Sequence, residues 1–485
     1  MRRDGAWEVG TLHSTNEAGE RVPADPVEGR GSRSTDPLEG KIVGTSSPAD
    51  VSTKLQRVAT LARDSPQMVF TTLAHHIDED FLHEAYRRTR KDGAVGVDGE
   101  TAEAYAVDLE SNLKNLLDRF KSGRYYAPPV RRIHIPKGDG ISTRPIGIPT
   151  FEDKVLQRAV TMLLDAVYEQ DFLDCSYAFR RGRSAHQALD ALWRGAMSMG
   201  GGWVLELDIE SFFDTMSHRR LREFLDTRIR DGVLRRAIDK WFKAGVMEGE
   251  MTSRPEAGVP QGGVVSPLLS NLYLHHVLDE WFEEEVRPRL AGRAMLIRFA
   301  DDATMVFASE ADARRVMDVL PKRFGKYGLK LHPDKTRLVD FRRPSTRPAL
   351  DGSPGTFDLL GFRHYWGRSR RGKWVVQRKT SPKRLSRAHK RMNLWCRNHR
   401  HFKLADQHAL LVRKLRGHYA YFGMTGNTRA LNSFWQATKR MWRKWLGRRG
   451  QHRPVQWDRF VQILRRYPLP PPRIVHRLAH RAASP

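Results

Sequence analysis

The chain has 485 residues, of which 40% are hydrophobic, and its 84 Lys and Arg outnumber its 56 Asp and Glu to give a net charge of +28. This length predicts two to four domains of roughly 150 residues each, and no run approaches the ~20 apolar residues of a membrane span. Cys175 and Cys396 form no CxxC pair. That excludes a disulfide scaffold and a cysteine-rich zinc module, and predicts a cytoplasmic protein.

The excess positive charge lies in the last quarter of the chain. Residues 361–485 carry 32 Lys and Arg against two acids, a net charge of +30, whereas residues 1–360 sum to −2. The same quarter holds 7 of the 12 tryptophans. A basic, aromatic-rich segment is typical of proteins that bind nucleic acid. A solvated basic face is the alternative, but Trp435, Trp442 and Trp445 follow helical spacing, which a bare tail would not need.

Hydrophobic periodicity and turn residues divide the chain into five predicted segments. The first lacks sustained periodicity and the last contains the extended RYPLPPPRIV. In chain order they are a disordered N-terminal segment (1–50), a helical extension (51–125), a region of mixed strands and helices (126–365), a basic helical region (366–450) and a basic C-terminal tail (451–485). Within the mixed region, Ser184 is predicted to cap a helix.

A predicted strand in the mixed region, WVLELDIESFF, carries acids on one face. Because side chains alternate along a strand, Glu206, Asp208 and Glu210 share the face opposite the apolar residues. Such a row of carboxylates repels itself unless it meets cations or solvent. An exposed edge strand protected by acids is the alternative interpretation.

A second acidic feature is the hairpin LIRFADDATMVF, whose tip holds Asp301 and Asp302 between two apolar runs. Turn chemistry explains one aspartate better than two. If the hairpin pairs with the acidic strand, both aspartates approach Asp208. Three converging carboxylates require divalent metal, and oxygen ligands favour Mg²⁺. Two Mg²⁺ ions ~4 Å apart are the standard arrangement for nucleotidyl transfer.

Two glycine-rich loops predict groups that hold a nucleotide. In IPKGDGISTRPIGIP, Lys137 and Arg144 flank a flexible loop from which they can grip phosphates. In GVPQGGVVSPLLSN, glycines beside Gln261 allow close backbone approach to a nucleotide. Ser266 and Pro267 are predicted as the N-cap and first residue of the following helix. An exposed basic loop and a loop before a core helix are the respective alternatives.

The order of these motifs resembles that of the reverse transcriptases encoded by bacterial group II introns. The resemblance covers residues 51–476 and adds SYAFRRGRSAHQAL, GLKLHPDKT, LLGFRH, HYAYFGMTGN and RYPLPPPRIV to the motifs above. It implies an α+β right-hand polymerase, with fingers and an antiparallel palm sheet in residues 126–365 and a helical thumb and maturase domain X in residues 366–450. It further implies RNA-directed DNA synthesis, retromobility and a maturase role in splicing the intron RNA.

The resemblance also assigns residues to roles. Asp208, Asp301 and Asp302 match the catalytic acids and, with the Ile209 carbonyl, the ligands of two Mg²⁺ ions. Phe212 matches the bulky residue under the sugar, which would favour deoxynucleotides, although a core position beside Phe213 is the alternative. The nucleotide-binding positions are Lys137, Arg144, Ile209, Phe212 and Gln261. The expected partners are intron RNA, an RNA template with a DNA primer, dNTPs and a DNA target near the nucleoid. The expected RNA-binding residues are Lys439, Arg440, Arg443, Lys444, Arg448 and Arg449.

The chain departs from the family pattern at three points. Phe299 stands where the family has the tyrosine of Tyr-Ala-Asp-Asp, and Arg181 replaces the proline of FRPGRS. The cysteine pairs of an HNH endonuclease domain are missing, so we expect neither zinc nor a DNA-cleaving domain. Two other functions remain open: an RNA-binding splicing factor with an idle polymerase, and a host-retained reverse transcriptase in phage defence.

Overall fold

A computed structural model describes residues 48–136, 143–248, 251–253, 257–344, 355–450 and 455–477. The helices within these ranges are α1 (Pro48–Asp64), α2 (Glu79–Arg88), α3 (Ala102–Tyr105), α4 (Leu109–Lys121), α5 (Phe151–Tyr168), α6 (Ala185–Ser198), α7 (Phe212–Thr215), α8 (His218–Asp226), α9 (Gly232–Lys243), α10 (Ser266–Leu274), α11 (Glu310–Lys326), α12 (Pro382–Asn398), α13 (Leu404–Phe422), α14 (Thr428–Leu446) and α15 (Trp457–Arg466). Two π-helical stretches, His275–Asp279 and Trp281–Val286, continue α10.

The strands form three sheets. Their bounds are β1 (Val130–Pro136), β2 (Thr143–Ile148), β3 (Trp203–Leu207), β4 (Val246–Glu248), β5 (Met251–Ser253), β6 (Ala294–Phe299), β7 (Asp302–Phe307), β8 (Arg337–Asp340), β9 (Phe357–Leu359), β10 (Phe362–Arg368) and β11 (Trp374–Thr380). The orders are β2-β1-β4-β5, β6-β7-β3-β8 and β11-β10-β9. The β6-β7-β3-β8 sheet is antiparallel throughout. The predicted α+β class is confirmed, and the edge-strand interpretation of β3 is wrong because β3 pairs on both sides.

One hydrophobic core lies between the N-terminal helices and one face of the central sheet. The helix α5 is apolar nearly all round, so it is buried at the centre, with α1 and α2 packed against it. The same core takes in α10, α11 and β3 residues such as Leu205 and Leu207. The N-terminal extension is therefore part of the globule that carries the acidic strand.

A second core lies on the other face of the central sheet. It joins Val204 of β3 and Val306 of β7 to α6, to the β9–β11 sheet and to α12–α15. The helix α15 contributes Phe460, whose ring meets Trp442 of α14 edge-on at 5.7 Å between centroids. The basic C-terminal quarter thus packs directly against the sheet that carries the aspartates.

Several predicted boundaries differ from the structure. A boundary at residue 366 would cut through β10, which forms one hairpin with β11. Residues 451–485, predicted to be a tail, include the packed helix α15. The predicted disordered segment lies outside the described residues except for its last three, which begin α1. No helix within the described ranges combines the length and apolar character that a bilayer crossing requires.

The two predicted helix starts have different outcomes. Ser184 is the N-cap of α6, where its hydroxyl accepts a hydrogen bond from the Gln187 amide at 3.3 Å. The N-cap of α10 is Val265, so the assignment of Ser266 was wrong by one residue. The Ser266 hydroxyl instead donates to the Pro260 carbonyl at 2.9 Å and closes the preceding loop.

Candidate active site

Strand pairing brings the three predicted aspartates to one end of the central sheet. The β3–β7 register ends with Leu207 opposite Ala303, so Asp208 and Asp302 occupy the next positions of the two strands. The β6–β7 hairpin pairs Phe299 with Asp302 and leaves Asp301 in the turn. The hairpin therefore pairs with the acidic strand, which is the condition under which the sequence predicts that the three aspartates converge.

The aspartates repel one another in a buried setting. Burial and the charges of Asp301 and Asp208 raise the pKa of Asp302 to about 7. Burial also raises the pKa of Asp301, and the Asp208 charge adds to that effect. The guanidinium of Arg144 acts in the opposite direction on both, and that of Arg384, on α12, does so on Asp302. Cations from two separate regions of the chain thus face this acidic cluster.

Asp208 has a positively charged partner that sequence reasoning missed. Its Oδ2 accepts a hydrogen bond from Lys335 Nζ at 2.8 Å. The segment before Lys335 runs alongside the end of β3, where the His332 amide donates to the Asp208 carbonyl and the Glu210 amide donates to the Lys330 carbonyl. Since successive carbonyls of an extended strand point to opposite sides, the Ile209 carbonyl faces the β7 side.

The donor set of the acidic cluster fits a divalent metal. Three aspartates and a backbone carbonyl are hard oxygen donors of the kind that Mg²⁺ prefers. Among the described residues, only His275, His276 and Glu280 place three side-chain ligand atoms all within 4.8 Å of one another, so the three aspartates do not all meet that spacing. A divalent cation would relieve the repulsion that raises the aspartate pKa values.

Neighbouring Glu206 is not part of this cluster. Its carboxylate pairs with Arg337 of β8 and accepts a hydrogen bond from the Asp358 amide at 3.1 Å. Of the acids on this face of β3, Asp208 is thus the one that the strand register brings beside the hairpin. In the His275–His276–Glu280 group, the Glu280 carboxylate lies 2.6 Å from His276 Nδ1 and 3.3 Å from His275 Nε2.

A buried arginine holds the aspartate hairpin from behind. Arg298 of β6 and Asp279 of the π-helical stretch are both 0% exposed, and they form a two-pronged ion pair at 2.7 and 2.5 Å. The remaining guanidinium hydrogens go to Asn271 Oδ1 at 3.1 Å, Ser176 Oγ at 2.8 Å and the Ala300 carbonyl at 3.2 Å. Every nitrogen of this buried guanidinium therefore donates a hydrogen bond, which offsets the cost of burying its charge.

The hydrogen bond to Ala300 acts at the turn itself. Ala300 has φ +57°, a left-handed conformation that is strained for a residue with a Cβ. It directly precedes Asp301, so its conformation sets the direction in which that carboxylate leaves the hairpin. Sequence analysis missed this support, because Arg298 lies within an apolar run that predicts only a strand.

The predicted Gln261 loop lies against β2, the strand that carries Arg144. Gly147 of β2 donates its amide to the Gln261 carbonyl at 2.6 Å. At Gly262, φ is +116° and an added Cβ would lie 2.6 Å from the Gly147 carbonyl oxygen, so only glycine fits. Arg144 lies three residues before Gly147 on the same strand. Lys137, the other predicted phosphate ligand, lies outside the described residues.

A network of buried hydrogen bonds, which we call the Gln157 chain, holds the loop that contains Gln261. Gln157 of α5 accepts hydrogen bonds from the Val264 and Val265 amides at 2.8 and 3.3 Å, and donates to Asp153 at 2.9 Å. Asp153 also accepts from Trp241 Nε1 at 2.8 Å and from the Tyr125 hydroxyl. Sequence reasoning missed these residues, since Asp153 and Gln157 look like the polar face of an amphipathic helix.

The two adjacent phenylalanines after β3 differ in burial. Phe212 is 2% exposed and meets Tyr273 and Phe213 edge-on, with centroid distances of 6.2 and 5.4 Å. Phe213 is only partly buried, and its carbonyl accepts a hydrogen bond from the Val259 amide at 2.8 Å, close to the Gln261 loop. The packing therefore supports the core alternative for Phe212 and leaves Phe213 as the ring with exposed surface.

The two departures from the family motifs occupy different environments. Phe299, the last residue of β6 in the aspartate hairpin, is buried in the second core. A tyrosine hydroxyl at this position would need a polar partner that phenylalanine does not. Arg181 is exposed, and its charge acts against the burial that raises the pKa of Asp165 to about 7.

The predicted RNA-binding residues divide into three groups on and beside α14. Arg440 and Lys444 are exposed one turn apart on α14, and exposed Arg448 follows just past its end, so we call these three residues the α14 stripe. Lys444 and Arg448 also lie 5.4 and 5.0 Å from the centroid of the Trp445 ring. Lys439 lies over Trp435 with 3.2 Å from Nζ to the ring centroid, and Arg443 lies 4.9 Å over Trp457. Arg449 instead donates to the carbonyls of Arg400 and Phe402, which gives it a structural role.

Comparison with known proteins accounts for this arrangement. Residues 135–364, which contain all three aspartates, match the reverse transcriptase (RNA-dependent DNA polymerase) family. Group II intron-encoded protein LtrA of Lactococcus lactis subsp. cremoris is 36% identical over 228 residues, or 46% of this chain and 37% of LtrA. Protein YkfC of Escherichia coli (strain K12) is 36% identical over 365 residues, or 67% of this chain and 91% of YkfC. The chain belongs to the group II intron-encoded reverse transcriptase/maturase family.

Family membership extends beyond bacterial relatives. Nuclear intron maturase 4, mitochondrial, of Arabidopsis thaliana is 26% identical over 146 residues, which is 30% of this chain and 18% of that protein. The match to LtrA covers little more than a third of LtrA's length. The resemblance inferred from the ordered motifs is thus confirmed at the level of the family.

Proposed function

We propose that this protein is an RNA-directed DNA polymerase that uses two Mg²⁺ ions and deoxynucleoside triphosphates, and that it acts as a maturase for a group II intron RNA. The observation that carries the proposal is the convergence of Asp208, Asp301 and Asp302 at one end of an antiparallel sheet. We assign that sheet as the palm, the β2-β1-β4-β5 sheet as fingers and α12–α14 as the thumb.

The chain's own groups have separate tasks in this proposal. The aspartates and the Ile209 carbonyl would hold the cations, which supply Lewis-acid activation of the primer hydroxyl and charge neutralisation of the triphosphate. Arg144, whose charge acts to lower the pKa of both hairpin aspartates, would bind the phosphates of an incoming nucleotide. The Gln157 chain keeps the Gln261 loop in a fixed position against β2. Such preorganisation lowers the entropic cost of aligning the reactants.

Primer extension tests the polymerase. We expect wild-type protein to extend a DNA primer annealed to an RNA template with dNTPs and Mg²⁺, and to stop when a chelator removes the metal. A protein that stays folded and binds RNA, yet makes no product over a full range of Mg²⁺ concentration, would leave the splicing factor with an idle polymerase as the better interpretation. The basic C-terminal quarter supports that second candidate.

We propose that Phe213, and not Phe212, contacts the sugar of the incoming nucleotide, because only Phe213 has exposed ring surface. Replacing Phe213 with alanine should raise ribonucleotide incorporation roughly 10- to 100-fold relative to deoxynucleotides, the discrimination that steric fit usually supplies. The Phe212→Ala variant is the matched control. It should lose about 3–5 kcal/mol of stability through its core cavity without a change in sugar selection. If only the Phe212→Ala variant changes the preference for deoxynucleotides over ribonucleotides, Phe212 is the residue that contacts the sugar.

We propose that the exposed α14 stripe binds the intron RNA backbone. The Arg440→Gln/Lys444→Gln variant should bind intron RNA more weakly, and the slope of log Kd against log salt should fall by about 0.7–0.9 per lost contact. Lys322→Gln/Lys326→Gln removes equal charge from the exposed face of α11 and serves as control. In splicing assays, the Arg440→Gln/Lys444→Gln variant should likewise be less active than the wild type and the α11 control. Equal losses in both variants would indicate a general charge effect and remove the assignment.

The remaining elements of function stay predictions. Retromobility, a DNA target near the nucleoid and a cytoplasmic location follow from the proposed activity. A host-retained role in phage defence is the third candidate, and the genes that flank the coding sequence discriminate it from an intron-encoded role. Intron RNA sequence around the gene favours the maturase; host genes on both sides favour the alternative.

A further inference from the structure

A basic cleft lies at the tip of the β10–β11 hairpin, away from the aspartates. Its volume is about 580 Å³. The lining residues are Met197, Arg343, Arg368, Arg371, Gly372, Lys373, Trp374 and Val375. Four of these eight residues are cationic and none is acidic. The surrounding chain is also basic, since no Asp or Glu occurs between Asp358 and Asp406.

The cleft has a defined shape because backbone and aromatic contacts hold the hairpin. The Ser369 amide donates to the Lys373 carbonyl at 2.8 Å, and Arg368 donates to the Gly372 carbonyl at 2.7 Å. The Arg368 guanidinium lies 4.3 Å over the Trp374 ring. On the other side, Trp193 of α6 donates to the Val376 carbonyl at 2.8 Å and docks the hairpin. The two cations at the tip, Arg371 and Lys373, have no acidic partner in the described part of the chain.

The topology separates this cleft from the aspartates. Arg343 follows the end of β8, and Asp340 of that strand pairs with Trp203 at the start of β3. Asp208 lies five residues farther along β3, or about 17 Å at ~3.3 Å per residue. Phosphates held in the cleft therefore belong to nucleic acid outside the reacting nucleotide.

We propose that this cleft binds the sugar-phosphate backbone of an unpaired RNA loop. The cleft volume of about 580 Å³ has the size of a small-ligand site and accommodates a short stretch of single strand. Arginine and lysine suit phosphate oxygens, and a stacked Arg–Trp pair suits an unstacked base, the form in which proteins recognise RNA loops. This site deepens the proposed function, on which the choice of RNA rests, by adding a contact separate from the α14 stripe.

Fluorescence anisotropy on the full chain tests the site, with a labelled hairpin RNA bearing an unpaired loop and the same sequence fully paired. In the Arg371→Gln/Lys373→Gln variant, hairpin-RNA binding should weaken and its salt slope should fall by about 1.4, since each lost contact to a single strand contributes about 0.7. Duplex binding should keep its wild-type slope. Both side chains are exposed at a backbone-stabilised tip, so thermal unfolding should match the wild type.

The Lys322→Gln/Lys326→Gln variant again provides equal charge loss elsewhere and should retain loop binding. The proposal is overturned if the hairpin-tip variant keeps the wild-type slope, if loop and duplex binding weaken equally, or if the α11 control loses as much. A single-stranded DNA of the loop sequence that shows the same loss would replace RNA with DNA as the ligand and overturn the RNA assignment. Because the assay measures binding alone, its outcome does not depend on whether primer extension succeeds.

Discussion

The Asp301→Asn variant is expected to extend primers at least about 10³-fold more slowly than the wild type, a loss of ~4 kcal/mol of transition-state stabilisation. Asp301 stands at the tip of the β6–β7 hairpin, next to Asp302 and close enough to Asp208 for their charges to interact. Asparagine keeps the shape but removes the charge that would hold a divalent cation. Single-turnover primer extension at saturating dNTP measures the loss.

The same variant should fold at least as well as the wild type in the absence of metal. Burial and mutual repulsion raise the pKa values of both hairpin aspartates, so removal of one charge relieves an unfavourable interaction. Asp318→Asn, which neutralises an exposed carboxylate on α11, is the matched control and should retain full activity. Normal extension by Asp301→Asn would contradict the assignment of the acidic cluster as the polymerase site.

The second large effect is expected at the Arg298–Asp279 pair. Asp279→Asn should destabilise the protein by about 3–5 kcal/mol, because it leaves a fully buried guanidinium without its counter-charge. Arg298→Met should cost a similar amount through the unpaired Asp279. Thermal or denaturant unfolding measures both losses against wild type.

The double variant Arg298→Met/Asp279→Leu separates folding from positioning. Replacing a buried ion pair with apolar side chains is often neutral or stabilising, so we expect stability to return close to the wild-type value. Primer extension should stay low, because the Ala300 carbonyl has lost its donor at the strained turn before Asp301. Recovery of both stability and activity would show that the pair supports the fold alone and does not orient the aspartates.

Local patterns were enough to predict the elements that carry the acids. Alternating apolar residues identified β3, and the double aspartate between apolar runs identified the β6–β7 hairpin. These features depend on neighbours within a few residues, so sequence alone specifies them. The cap at Ser184 is another such feature, since its partner lies three residues away.

Contacts between residues far apart in the chain could not be predicted from such local patterns. Lys335 and Asp208 are 127 residues apart, and Gln157 is 107 residues from Val264, so only the folded chain brings them together. The burial of Phe212 also depends on a local feature that the strand pattern does not predict. Ser211, directly before it, adopts the left-handed conformation φ 45° and ψ 41°, and Phe212 lies in the core.

The core shared by the central sheet and the C-terminal helices has a consequence for experiments that aim to separate polymerisation from splicing. The usual approach, to express each half alone, would cut a single folding unit: Phe362 would lose the α13 rings of Tyr421 and Phe422, which lie 5.9 and 5.3 Å from it. Both halves would expose large apolar surfaces and aggregate. Separation of the two activities must therefore come from substitutions on exposed faces, with the whole chain retained.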